Sequence, residues 1–355
     1  MTLEGCAAAL AGLPGMGPSR LRALLQDRPP DRCWADVLAG EDGEDLQRAA
    51  SRVDVGAVAA AHAAAGVGIH LLDGSNYPTV LAEDPAAPAV LFSMGDIEAV
   101  RRPLVGIVGT RRSTHGGRET ARQFGRDLAA AGVGVVSGLA LGIDGAAHCG
   151  SLAARPDGRP PVAVVGCGLD VVYPKRHAQL WRAIADEGVI LSEWPCGTRP
   201  EPWRFPARNR IIAALADVLV VVESHAVGGS MHTVEAADAR GRTILAVPGP
   251  VRSPASAGTN RLLYEGNGPA RDVDDVLAAL GLARPMPAVR DRRAAPGGVE
   301  GAVLEVVGWE PTSLEQILVR TGLSPAAVAL ALSRLEHDSW VRGDGAWWER
   351  VGMGD

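Results

Sequence analysis

Between residues 104 and 247 one pattern recurs: a short run of Val, Ile and Leu, a glycine-containing turn, and a segment of helical length. The apolar runs are Leu104–Gly109, Val133–Gly138, Val162–Cys167, Val189–Ser192, Val218–Glu223 and Thr243–Val247; Arg118–Ala131 and Ser230–Gly241 have helical length and periodicity. Strands with no polar alternation are covered on both faces, as in a parallel sheet. The sequence therefore predicts an α/β fold with a doubly wound, mostly parallel Rossmann-like sheet. Ligands of such sheets bind beyond the carboxyl ends of the strands, which directs attention to the turns.

Several of those turns carry groups suited to an anion. "GIVGTRRSTHGG" (Gly106–Gly117) has neither GxGxxG nor GxxxxGK[ST] spacing, so dinucleotide and Walker-type binding are not supported. It still offers backbone N–H groups at Gly109, the hydroxyls of Thr110, Ser113 and Thr114, and the guanidinium forks of Arg111 and Arg112. "SGLALGIDGAAH" supplies a turn at Gly138 and then Asp144, which reads first as a helix-start acid. An Asp144–His148 metal pair is geometrically possible but has no third ligand nearby, so neither metal nor cofactor is expected. "GCGLDVVYPKRH" places Lys175 at a helix entrance, and Lys175 is the only lysine among 35 basic residues. A lysine there suggests a point charge where Arg is otherwise used. "FPARNRIIAAL" sets Arg208, Asn209 and Arg210 in or beside a first helical turn, and "VGGSMHT" opens a further helix with Gly229, Ser230 and Thr233. Cations and free amides at helix starts make anion sites, and several in one sheet suggest a polyanion.

Charge is distributed to match. The net charge is −6, yet residues 1–100 carry 6 basic and 14 acidic side chains, residues 101–283 carry 21 and 17, and residues 299–355 carry 4 and 9. A polyanion should prefer the middle. Residues 1–66 read as a helical amino-terminal domain, with "LAGLPGMGPSRLRALLQ" in the style of a helix-hairpin-helix or SAM-like element. Residues 67–283 form the Rossmann-like domain, 284–298 ("RPMPAVRDRRAAPGG") a linker, and 299–355 a winged helix with a hairpin at Gly343-Asp344-Gly345. The second helix of that winged helix contains one basic residue, Arg334, which favours protein binding or regulation over DNA reading. Five scattered cysteines without a CxxC pair argue against disulfides or zinc and fit a reducing compartment. The uncharged run at residues 55–72 reads as an Ala-rich helix, a break at Gly66 and a short strand, not a membrane span. With no secretory signal visible, a cytoplasmic location is expected.

The segments "YPTVL", "VGTRRSTHGG", "SGLALGIDGAAH", "GCGLDVVYPKRH", "LSEWPCG", "FPARNRIIAALAD", "GGSMHTVEAADARGRTILAVPGP" and "GTNRLL" occur in the order seen in the DNA processing protein A family (DprA, also called Smf). The chain resembles that family over about Gly74–Leu280. The resemblance implies a non-enzymatic protein that binds single-stranded DNA, dimerises through the Rossmann-like domain and loads the RecA recombinase during natural transformation. It places the family's DNA-contacting Arg on Arg111 and the basic residue after Tyr-Pro on Lys175. His177 departs from the family's usual Asn, "GGSMHT" from its Ser-Gly-Ser-Leu-type turn, and Gly266-Asn267-Gly268 from its Gly-Ala pair. Tyr173, Trp203 and Phe205 are the aromatics available for base stacking, with packing preferred for Phe205. The alternative is a nucleotide N-glycosidase on a related sheet, with Glu193 or Glu223 as general acid or ribose ligand.

Overall fold

In the computed structural model residues 1–282, 296–309 and 311–351 are described. The chain divides into two compact units, Met1–Ala283 and Arg284–Asp355.

The first unit is built on nine strands: β1 (Val67–Leu71), β2 (Val90–Gly95), β3 (Leu104–Val108), β4 (Gly134–Ser137), β5 (Val162–Val165), β6 (Val189–Ser192), β7 (Val218–Val221), β8 (Thr243–Ala246) and β9 (Gly268–Pro269). Their order is β1-β2-β6-β5-β4-β3-β7-β8-β9. From β6 to β9 every pairing is parallel, while β1 and β2 join the β6 edge antiparallel. Every residue of β3 to β7 is buried. Alternation sorts them between two cores: Leu104 and Val108 pack on one face with Leu219 and Val221, Val105 and Ile107 on the other with Val218 and Val220. The six expected strands are present, each ending at or before its glycine turn. The antiparallel β2 was not among them.

Helices cover both faces. The amino-terminal helices α1 (Leu3–Ala11), α2 (Pro18–Leu25), α3 (Pro30–Ala39), α4 (Glu44–Ala50) and α5 (Val55–Ala64) share one core with Phe92, Val165 and Ile190 of the sheet. The chain then turns at Gly66 (φ +67°) directly into β1, as the Ala-rich run implied. After the short α6 (Thr79–Ala82) come α7 (His115–Ala130), α8 (Ile143–Ala153), α9 (Ala178–Glu187), α10 (Arg204–Leu215), α11 (Gly229–Asp238), α12 (Ala257–Tyr264) and α13 (Val273–Ala279). Helix α7 begins three residues earlier than its apolar periodicity suggests, because the Thr114 hydroxyl accepts the Gly117 N–H at 2.9 Å and caps it.

The second unit contains α14 (Gly298–Val306), α15 (Leu314–Thr321) and α16 (Pro325–His337), with β10 (Thr312–Ser313), β11 (Val341–Asp344) and β12 (Trp347–Arg350) in the order β10-β12-β11. This is a winged helix. Ser313 and Gln316 form a capping box on α15, and Ser324 caps α16 ahead of Pro325. Of the linker expected at 284–298, residues 284–295 lie outside the described residues. Among the described residues no single helix is long and apolar enough to cross a membrane.

Helices α7 and α8 touch backbone to backbone. A Cβ on Gly125 would lie 2.1 Å from the Ala147 carbonyl oxygen, and one on Gly150 would lie 1.9 Å from that of Arg122. Neither neighbour is a movable side-chain end. Gly125→Ala should therefore destabilise the protein by about 1–3 kcal/mol, as overpacking does. Gly116→Ala, where the nearest atom is 3.8 Å away, should be neutral or stabilising by up to about 1 kcal/mol. Denaturant midpoints of the two variants check the contrast, and equal shifts would contradict it.

Candidate anion-binding cleft

From β3 the chain winds outward through β4, β5 and β6 on one side, then returns through α10 to β7 and continues to β8 and β9 on the other. The loops after β3 and β7 therefore diverge, as at any topological switch point. Between them lies a cleft of about 600 Å³ lined by Gly109, Thr110, Arg111, Arg112, Asp144, Tyr173, Phe205, Asn209, His225, Gly229 and Ser230.

The turn after β3 is held rigid by Glu223. Its backbone carbonyl accepts the Thr110 N–H at 2.7 Å. Its carboxylate accepts the Thr114 N–H at 2.9 Å and the Thr114 hydroxyl at 2.6 Å. A Cβ on Gly117 would lie 2.2 Å from that carboxyl carbon, and one on Gly109 would lie 2.6 Å from the Glu223 carbonyl oxygen. The start of α7 is thus filled by the protein's own anion. What the turn leaves outside is Arg111 and Arg112, both exposed and without a carboxylate partner among the described residues. The Arg111 guanidinium lies 5.1 Å from the centroid of Phe205, which stacks on Tyr173 at 5.3 Å. Two rings and a cation thus form one wall, with Phe205 packed between Arg111 and Tyr173.

The RNR triplet separates. Arg208 is buried, 3% exposed, and donates to the Gly138 carbonyl oxygen at 2.7 Å and to that of Val164. Burial brings its guanidinium down to about 10 against the opposing pull of Asp144, and burial pushes the Asp144 carboxyl up against Arg208. Gly138 has no room for a side chain, since a Cβ would lie 2.5 Å from Arg208 nitrogens. Asn209 donates to the Gly229 carbonyl oxygen at 3.1 Å, and Ser230 shares a 2.8 Å hydrogen bond with Ser224. Arg210 pairs with Glu193 at 2.6 Å, and the Glu193 side chain is 1% exposed. Burial raises the Glu193 carboxyl, with Arg210 opposing. Lys175 is exposed, in a 3₁₀ turn directly after Tyr173-Pro174, beside the cleft and not in its lining.

The structure thus brings Gly109, Thr110, Arg111, Arg112, Arg208, Asn209, Gly229 and Ser230 to one cleft. Gly138 and Arg210 stand behind its walls, the first against Arg208 and the second against Glu193. Sequence reasoning missed that Glu223 anchors the turn and that His225, 3.2 Å from the Thr110 hydroxyl, lines the cleft. The burial of Arg208 did have a signal. Arg208 precedes Ile211, Ile212 and Leu215 by three, four and seven residues, the spacing of one helix face. Among the described residues no three His, Cys, Asp or Glu side chains gather where a metal ion could be held.

Fold and cleft together define a doubly wound Rossmann-like protein with a winged-helix appendage. Residues 69–281 match the family described as DNA recombination-mediator protein A, and residues 287–342 match the DprA winged helix domain. The Smf protein of Synechocystis is 34% identical over 301 residues, covering 74% of this chain and 75% of the relative. That of Escherichia coli is 33% identical over 282 residues, covering 77% and 75%. DprA of Streptococcus pneumoniae is 39% identical over 202 residues, covering 57% and 70%. The X-ray structure of the S. pneumoniae protein superposes with a TM-score of 0.62 at 28% identity, covering 78% of this chain and 98% of that one. A Helicobacter pylori DprA structure, described for its single-stranded DNA binding mode, superposes at 0.54 with 29% identity, covering 60% and 95%. This chain belongs to the DprA/Smf family.

His148, one turn beyond Asp144 on α8, is wholly buried, and burial, aided by the nearby His177 and Arg208, holds its imidazole down to about 3. The unfolded chain therefore binds one more proton than the native one between about pH 6.5 and pH 3, so stability falls as pH falls through that window. Between pH 7 and pH 5 the loss should be about 2 kcal/mol. In His148→Leu the acid loss should shrink by that amount; denaturant unfolding at both pH values measures it, and an unchanged loss would contradict it.

Proposed function

We propose that the chain binds single-stranded DNA through phosphate contacts along Arg111, Arg112 and Lys175, performs no chemistry on it, protects it and delivers it to the RecA recombinase in natural transformation. The observation that carries this reading is the exposure of Arg111 and Arg112, unpaired among the described residues, at the mouth of the switch-point cleft. Charges placed that way attract phosphates in any sequence context and release counterions when they bind. The relative from H. pylori, whose structure is described by its single-stranded DNA binding mode, supports the same ligand. Homodimerisation through the Rossmann-like unit and a cytoplasmic setting belong to the same reading. So does the four-part division of the chain at residues 66, 283 and 298.

The N-glycosidase alternative needs a free carboxylic acid past a strand. Both oxygens of Glu223 accept hydrogen bonds from Thr114, and Glu193 is buried against Arg210. Each has a structural task already. In the single-strand reading, Gly109, Thr110, Gly138, Arg208, Asn209, Gly229 and Ser230 shape the cleft, and Arg210 anchors Glu193.

Gel-shift titration with labelled single strands, duplexes and mononucleotides tests the reading. Single strands should bind best, with affinity falling steeply as salt rises. Arg111→Ala should weaken binding by about 1–3 kcal/mol, the worth of a charge-assisted hydrogen bond. Lys175→Glu should be severe and Lys175→Arg mild, with shallower salt slopes across all sequences. Equal affinity for duplex, or turnover of ATP or a nucleoside monophosphate above background, would overturn it.

The winged-helix unit should be dispensable for this contact, because its charge repels a polyanion. Removing residues 299–355 should leave single-strand affinity within about threefold. A large loss in a folded truncation would reassign part of the interface to the wing.

A further inference from the structure

Two groups of aromatic rings flank the start of α10. One is the Arg111–Phe205–Tyr173 stack in the cleft wall. The other is Trp203, the residue preceding α10, with Trp194 and Arg204. Trp203 is 51% exposed, so about half of a large apolar ring system stands in water. It is nevertheless held from several directions. Its Nε1 donates to a Glu201 carboxylate oxygen at 2.5 Å, and it meets the buried Trp194 edge to face at 5.4 Å and 85°. The Arg204 guanidinium lies 5.1 Å from the Trp203 centroid and 4.3 Å from that of Trp194, and Arg204 is itself paired with Glu201 at 3.3 Å. The flanking Pro202 and Pro206 line the cleft.

We propose that Trp203 is a nucleobase-stacking station for a single strand leaving the cleft past Pro202. The proposal rests on the single-strand reading above and adds to its phosphate contacts a platform for bases. A bare aromatic face accepts any base, and stacking is open only to bases that are unpaired. Preorganisation matters here, because an indole already fixed by Glu201, Trp194 and Arg204 loses little rotamer freedom when a base lands on it. Arg204 on one face of the indole also supplies a fixed positive charge behind the stack. Arg199, exposed and without a carboxylate partner among the described residues, lies four positions upstream of Trp203 and can meet the phosphate beside that base. Single-strand preference then has a cause that phosphates alone do not provide, since phosphates are present on duplexes too.

The test uses the full chain, with Trp203→Phe and Trp203→Leu beside the unaltered protein and Arg111→Ala. Fluorescence anisotropy is measured with an oligo-dT strand and with an abasic strand of equal length. Trp203→Leu should weaken oligo-dT binding about five- to tenfold, Trp203→Phe less than about threefold, and neither should change affinity for the abasic strand. Tryptophan emission should be quenched by oligo-dT in the unaltered chain and less so in Trp203→Phe. Equal losses on both strands, or oligo-dT binding by Trp203→Leu at the unaltered affinity, would overturn the stacking role. If Arg111→Ala still weakens binding in that case, the single-strand reading stands without it. If the unaltered chain binds neither strand, both fall. A changed sedimentation velocity of Trp203→Leu with unchanged oligo-dT affinity would make the indole a contact between copies of this chain, and would overturn the proposal as well.

Discussion

A guanidinium without water has to find its acceptors inside the protein, and Arg208 of α10 does so between β4, β5 and α8. Its hydrogen bonds run to Gly138 after β4 and Val164 in β5, and its charge is answered by Asp144 at the start of α8. The arrangement therefore dictates residues around it. A Cβ at position 138 would lie 2.5 Å from the Arg208 nitrogens, and the next residue, Leu139, turns at φ +54°. Arg208 also anchors α10 one turn in, and this sets where Phe205 faces the cleft and where Trp203 stands outside it.

Satisfaction of the inner groups decides what is left for a ligand. Glu223 occupies the amino end of α7, Asn209 holds the first residue of α11, and Arg210 is spent on Glu193. A helix end already filled by a carboxylate is a poor seat for a compact phosphorylated molecule, because the added anion would meet a like charge. Arg111 and Arg112, carried by the same turn but pointing away from that carboxylate's hydrogen bonds, have no such competitor. In the proposed reading a chain of phosphates passing over the rim would satisfy them, whereas a single nucleotide buried beneath the rim would not. The rigidity of the turn and the exposure of its cations thus have one origin.

The strands were legible because burial on both faces leaves Val, Ile and Leu in unbroken runs. Turns were legible because backbone approach demands glycine, as at Gly109 against Ile143 and the Glu223 carbonyl. β2 escaped because it lies outside the repeating strand-turn-helix pattern, pairing antiparallel with both β1 and β6, with Ser93 and Gly95 interrupting its apolar run. In the cleft, residue types were legible and their assignments were not. Arg208, Asn209 and Arg210 all qualify as helix-start anion binders in one dimension. Only the three-dimensional carbonyls of residues 138, 164 and 229 and the carboxylate of Glu193 show that all three are engaged. Long-range pairings leave no local spacing to read, whereas the helical offset from Arg208 to Leu215 was available.

The winged-helix unit shows the same logic from the opposite side. A DNA-reading helix needs free cations or donors around it to grip phosphates. Here Arg334 of α16 is tied to Glu300 at 2.7 Å, Arg320 donates to the Val306 carbonyl oxygen, and Arg350 to those of Leu304 and Val307. The other exposed positions of α16 are Pro325, Ala326, Ala329, Leu330, Ser333, Glu336 and His337, mostly small or apolar groups beside one carboxylate. Arginines engaged in this way, in a unit of net negative charge, offer little attraction to a polyanion. The proposed contact with a strand is therefore assigned to the rim of the Rossmann-like sheet, where Arg111 and Arg112 are exposed.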